Sequence, residues 1–268
     1  MRKGKGLACI IAIVCMIIGG CLAGAGFAMG GRFHDGFGIH LNDFGWNTHD
    51  VTRSTNMKKI ISEESFQQIY IDLHVGDIEV RRGSTYQVLV KNIPDENYDF
   101  SIKDGKLRLT THDFNVSNLS FGSLEYEVIL IVPEDASLER IELFSNMGDV
   151  DVEDVQCSYL MIEQKMGDVD ISHTIVDGDV EIEQKMGDVK FEGEISGMAN
   201  VHNAMGDIKM NLAYLEAYDL KTSMGSIKVN DQSESHGIGG HIKSGNQNTK
   251  NILIAKNAMG DIKLEFKK

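Results

Sequence analysis

The sequence predicts an all-β chain: a β-solenoid with coils of about 19–20 residues and an N-terminal β cap, preceded by one transmembrane helix. Three observations carry this reading. Met-Gly-Asp recurs through the C-terminal half, apolar and polar residues alternate at period two around each copy, and one long uncharged apolar run stands near the start. Internal repetition takes priority over local propensity, because a fixed period constrains every local assignment that follows.

Residues 7–30 carry no charge and are long enough to cross a hydrocarbon core of about 30 Å as a helix. Arg2, Lys3 and Lys5 precede them and the first acid is Asp35, which predicts a cytoplasmic N-terminus and an extracytoplasmic body in a single-pass cell-membrane protein. Two other readings compete. Cleavage as a signal peptide is opposed by the length of the run and the lack of an A-x-A end. Lipidation at Cys21, after Ile18-Gly19-Gly20, is opposed by the apolar residues 22–29 that follow. Gly20 with Gly24, and Gly26 with Gly30, have the spacing that lets membrane helices approach, a cheap match in so glycine-rich a span.

Residues 31–58 read as a juxtamembrane linker, with Phe33, Phe37, Phe44 and Trp46 suited to a membrane interface. His34, Asp35, His40, Asp43, His49 and Asp50 have ligand chemistry but no fixed ligand spacing, so no metal is assigned there.

Residues 59–136 form the expected cap. Alternating segments occur at 69–73, 78–80, 88–90, 107–109 and 126–133, with turns at Arg82-Gly83-Ser84 and at residues 103–106. Val75-Gly76-Asp77-Ile78 is a degenerate first copy of the motif. Repeat arrays need atypical ends to cover the core, so this region should run continuously into the coils at 137–268, making 59–268 one domain.

The motif stands at Met147-Gly148-Asp149, Met166-Gly167-Asp168, Met186-Gly187-Asp188 and Met205-Gly206-Asp207, then Met224-Gly225-Ser226 and Met259-Gly260-Asp261. The glycines step by 19, 20, 19 and 19 residues and then by 35. The long last gap predicts one extra irregular coil, with Gly239 and Gly240 before His241-Ile242-Lys243 in place of the motif. Leu160 and Ile162 before one motif, and Val169 and Ile171 after it, alternate as strands with one buried face. A unit this short cannot hold a βαβ crossover, which takes about 30 residues.

Stacking places equivalent residues about 4.8 Å apart. The six methionines are then expected as an inward core ladder, and the glycines as corners whose backbone a side chain would block. Asp149, Asp168, Asp188, Asp207 and Asp261 would form a column of like charges. Lys190, Lys209, Lys228 and Lys263, two residues later on the same face, are the expected relief. Calcium on these aspartates is the alternative, disfavoured because one carboxylate per coil offers too few oxygens.

The early Gly-Asp-Ile, the Val-Ile-Leu-Ile-Val-Pro strand ending at Pro133 and the repeated Gly-Asp-Val/Ile together resemble a family of bacterial adhesin-type domains of unknown function, often found behind a membrane helix. The resemblance covers about residues 60–268 and carries over no catalytic or binding residue. The near-invariant methionine departs from the family's looser pattern.

Composition narrows the function. After residue 30 there are 23 basic and 40 acidic residues, net −17, which repels phosphate backbones and argues against nucleic acid. Of the four cysteines, Cys9, Cys15 and Cys21 lie in the apolar segment, leaving Cys157 as a small buried hydrophobe with no disulfide framework. No P-loop, G-x-S-x-G, H-E-x-x-H or Cys/His spacing is present, and Gly237-Ile238-Gly239-Gly240 lacks the strand-to-helix context of a dinucleotide fingerprint. Neither cofactor nor catalytic residue is expected; the nearest enzyme reading is a carbohydrate-active β-helix using Asp168 and Asp188. The leading expectation is a non-enzymatic surface-binding module for a cell-surface protein or glycan, with Tyr214 and Tyr218 as exposed aromatics. Its rival is a structural or regulatory envelope component acting through a membrane protein partner.

Overall fold

The computed structural model describes residues 58–112, 126–235 and 239–267. All of them fall in one compact unit, Thr55–Ser117 with Leu124–Lys268. The apolar segment 7–30 and linker residues 31–57 lie outside the described residues. Among those described, no helix is long and apolar enough to cross a membrane. Apart from a single 3-10 turn at Asp95–Asn97, their regular structure is β-strand.

The alternating segments become coils because each unit has two strands of opposite assignment. In β11 (Leu160–Met166) Leu160, Ile162 and Gln164 point inward, and after the Gly-Asp corner β12 (Val169–Val176) turns Val169 and Ile171 to the same interior. The next unit repeats this as β13 (Val180–Met186) and β14 (Val189–Ile195), and the one after as β15 (Met198–Met205) and β16 (Ile208–Leu212). β8 (Arg140–Ser145) and β9 (Val150–Glu153) precede them, followed by the short β10 (Gln156–Cys157). First strands pair in parallel in one sheet, Ile162 beside Ile182 beside Val201. Second strands pair in parallel in the other, Val169 beside Val189 beside Ile208. The inner faces of both sheets share one hydrophobic cluster, in which Ile162, Val169, Ile182 and Phe191 are buried. Each such side chain contributes about 1.5–3 kcal/mol of burial free energy.

The ends depart from sequential winding. The last unit, β21 (Ile252–Met259) and β22 (Ile262–Phe266), is inserted between β15/β16 and the coil of β17 (Ala217–Met224) and β18 (Ile227–Val229). The long gap therefore holds no extra coil. Its residues form β19 (Gln232–Ser235), antiparallel to β18, and β20 (Gly240–Ser244), antiparallel to β17. His241-Ile242-Lys243 is thus an edge cap, not a motif substitute. Antiparallel strands return by a short turn and cover the exposed edge that a stack of parallel coils would leave. Asp219 holds the cap, its carboxylate 2.7 Å from His241 Nε2 and 2.6 Å from Lys243 Nζ. Partial burial would raise that carboxyl's pKa, but the two cations outweigh it and hold it below the usual range.

The N-terminal end is built the same way. β2 (Gln68–Leu73) and β3 (Asp77–Gly83) meet at Gly76 and form a coil stacked on β8 and β9. On their other side lie β6 (Lys106–Thr111) and β7 (Glu127–Pro133), again out of chain order. β1 (Lys58–Ser62) and β4 (Gln87–Lys91) then cap one sheet and β5 (Tyr98–Lys103) the other, all antiparallel.

Candidate functional site

The Met-Gly-Asp corner is where the repeat concentrates its chemistry, and its hydrogen bonds run from coil to coil. Each glycine N–H donates to the methionine carbonyl of the next coil, at 2.7–3.1 Å from Gly76 through Gly260. Five of the glycine carbonyls accept from a side chain of the next coil: Gly148 from Gln164, Gly167 from Gln184, Gly187 from Asn203, Gly206 from Asn257 and Gly260 from the Thr222 hydroxyl. These five side chains are buried, a polar ladder along a mostly apolar interior. Sequence reasoning missed them. The signal was available in Glu-Gln-Lys-Met-Gly-Asp-Val at 163–169 and 183–189, and in Asn-Ala-Met-Gly-Asp-Ile-Lys at 203–209 and 257–263.

The aspartates form a second ladder. The Asp149 N–H donates to Asp77 Oδ1, Asp168 to Asp149, Asp188 to Asp168, Asp207 to Asp188, Asp261 to Asp207, and Ser226 to Asp261, all at 2.7–2.9 Å. One oxygen of every carboxylate thus receives a backbone donor that the corner would otherwise leave without an acceptor. This replaces the expected lysine relief. Among the described residues only Lys209 approaches the column, 3.7 Å from Asp188, while Lys190 sits 2.9 Å from Asp170 and Lys263 contacts Asp231 and Glu265. A backbone N–H is fixed in place by the strand it ends, whereas a lysine must order a long side chain to do the same work. The carboxylates are committed as hydrogen-bond acceptors, one per coil.

The methionines overturn the expected inward ladder. Met147, Met166, Met186, Met205, Met224 and Met259 are 38–51% exposed. Alternation would turn them inward, but they lie where the chain leaves the strand, and Gln164 and its equivalents take the last interior place. Tyr214 is exposed as expected. Tyr218 is partly buried against the core and packs edge-on against Phe266 at 6.0 Å. Cys157 is fully buried, and burial pushes its thiol up to about 12.

On the outer face of the β12 sheet, Glu79, Asp151 and Asp170 stack in register, followed by Lys190. Partial desolvation and then the charges of Asp170, Asp149, Glu79 and Asp77 raise Asp151 to about 6. An unfolded aspartate titrates near 3.9, so between about pH 4 and pH 6 the folded chain holds the extra proton and stability falls as pH rises. The Asp151→Asn variant is therefore expected to melt higher than the parent at pH 7.5. The difference should vanish near pH 3.5, where both forms are neutral, as thermal melts across pH would record. Solvent screening of this exposed side chain keeps the gain modest.

The outer face of the β11 sheet carries an open groove of about 770 Å³ that crosses the coils. One wall is a register column whose order is Asp72, Phe144, Glu163, Glu183, His202, Lys256 and Lys221. Its sign changes from acidic to basic along its length. Six strand spacings make it about 29 Å long. The other wall loses bulk along the same direction, from Lys165 and Lys185 to Ala204, Ala258 and Ser223.

Comparison with known proteins gives the following. Residues 66–268 match the model of the Toastrack DUF4097 family. No curated protein matches the chain. A structure named as a candidate cell adhesion protein from Clostridium sporogenes is 13% identical, covers 80% of this chain and 99% of its own, and has a TM-score of 0.46. A candidate adhesin from Bacteroides fragilis is 15% identical, covering 78% of this chain and 97% of its own at a TM-score of 0.37.

Proposed function

We propose, for a chain that belongs to the Toastrack DUF4097 family, that it is a membrane-anchored, extracytoplasmic binding module that works by recognition and not by catalysis. Residues 7–30 anchor it with the N-terminus in the cytoplasm, and the stacked β unit stands outside as a solenoid. The observation that carries the reading is the groove across the β11 sheet, because a channel about 29 Å long suits an extended surface polymer better than a compact metabolite. Its wall supplies carboxylates at one end and cations at the other, so a polar chain bearing both donors and acceptors, glycan or protein, finds partners along its whole length. Asp168 and Asp188, the carboxylates a glycosidase reading would use, instead support stacking.

The test presents fragment 54–268 to immobilised cell wall, glycans and matrix proteins, beside a fragment carrying Lys221→Glu and Lys256→Glu. Saturable binding that weakens at least about tenfold in the double variant, a loss of about 1.4 kcal/mol, is the expected result. Absence of binding, together with a specific cross-link from the full-length chain to another membrane protein, would assign it to an envelope complex instead.

A further inference from the structure

Glycine and aspartate in the repeat are accounted for by backbone hydrogen bonds, but the methionine side chain is not. In spatial order the column runs Met147, Met166, Met186, Met205, Met259 and Met224, each linked to the next through its carbonyl and the neighbouring glycine N–H. In the coil at its far end Val75 takes the place, and the column stops there. The position just before the methionine drifts freely through Asn146, Lys165, Lys185, Ala204, Ala258 and Ser223, while the methionine itself does not change. No buried interior requires it, since all six are substantially exposed. Single exposed apolar residues are ordinary on a surface, but six in one row are not. What distinguishes methionine from leucine there is its sulfur.

We propose that this column is a binding site for soft monovalent metal ions, Cu(I) or Ag(I), held between thioethers of adjacent coils. Thioethers are neutral soft ligands that select Cu(I)-like ions over Zn²⁺, Ca²⁺ or Mg²⁺. With the zinc–sulfur length of about 2.3 Å as a guide, two metal–sulfur bonds placed end to end span about 4.6 Å, close to the strand spacing of about 4.8 Å, so thioethers of adjacent coils are spaced to share one two-coordinate ion. The register is fixed where it matters: Met166 pairs with Met186, Met205 with Met259, and Met259 with Met224. The adjoining aspartate ladder supplies the negative field that favours a cation at this edge. A thioether has no proton to lose, so uptake should be the same at pH 5 and pH 7.5, unlike uptake by thiol or imidazole.

The experiment uses the full-length chain in detergent micelles with ¹³C-methyl methionine, titrated with Ag(I) nitrate in chloride-free buffer. The comparison chain carries Met166→Leu, Met186→Leu, Met205→Leu and Met259→Leu; leucine keeps the volume, and unchanged melting verifies its fold. The expected result is a shift of the column's methyl resonances at near-stoichiometric silver, with the buried Met210 unmoved. The variant should bind at least two fewer silver ions, and Zn²⁺ and Ca²⁺ should leave the spectrum unchanged. Because both chains contain the same cysteines, thiol binding cancels in the difference. Equal silver uptake by the two chains, or unshifted column methyls, would overturn the proposal. If the variant melts differently, the methyl shifts of the parent chain alone decide.

Discussion

Gly187→Ala is expected to destabilise the chain by about 3–5 kcal/mol, a large part of a typical domain's stability. Two causes act together. Gly187 has φ of +133°, a conformation that a side chain rarely adopts and that costs about 1–3 kcal/mol when forced. The new Cβ would also collide with the backbone carbonyl oxygen of Gly167 in the neighbouring coil. A carbonyl fixed in a parallel ladder cannot swing away as a flexible side chain can. Relief would require the two coils to separate, stretching the Gly167 N–H bond to the Met186 carbonyl, now 3.1 Å, and the Gln184 bond to Gly167. Urea denaturation of Gly187→Ala and of Met186→Leu beside it checks this. The leucine variant should remain within about 0.5 kcal/mol of the parent, because its site is exposed. An alanine effect below about 1 kcal/mol would show that the corners part easily, against the close stacking described.

The second large effect is expected at Asp188. Its Oδ1 accepts the Asp207 N–H at 2.8 Å, and its own N–H donates to Asp168 at 2.7 Å. Asp188→Ala removes a charge-assisted acceptor and leaves the Asp207 N–H facing a methyl, at about 1.5–3 kcal/mol. Asp188→Asn keeps a carbonyl oxygen at the same place. It also removes like-charge repulsion worth a few tenths to about 1 kcal/mol per neighbour, so asparagine should be within about 0.5 kcal/mol of the parent. The contrast between alanine and asparagine separates the hydrogen-bonding role from any role that needs the charge. Melting with millimolar Ca²⁺ and with chelator provides the companion measurement: a structural ion would raise Tm on binding, whereas the N–H ladder predicts no change. An asparagine variant as damaged as the alanine one, with a calcium-dependent Tm, would restore the metal reading.

The ladder also gives physical meaning to the odd Ser226. Each carboxylate points toward the next coil, and Ser226 donates its N–H to Asp261 while offering no carboxylate of its own. That suits the end of the stack, which is where the coil of β17 and β18 stands although it is not last in the chain. Stacking in chain order would place Asp261 after Ser226, with no carboxylate to receive the Asp261 N–H.

The all-β class, the coil length and the corners at Gly76, Gly148, Gly167, Gly187, Gly206, Gly225 and Gly260 were legible in the sequence, because period-two alternation and a fixed 19–20 residue spacing are local patterns, whereas the corner expected at Gly239 and Gly240 is an edge strand. The glycines were legible for the same reason, since their need arises within a residue or two of the chain. Tertiary structure alone decided the order of the coils, since inserting β21 and β22 between earlier coils is a choice between distant pairings of nearly equal local preference. It also decided what methionine and aspartate do. Strict alternation placed Met166 inside, but the chain turns at the corner, the interior place goes to Gln164, and the thioether is left facing solvent. The aspartate's partner is a backbone donor that exists only once a second coil has been laid beside the first.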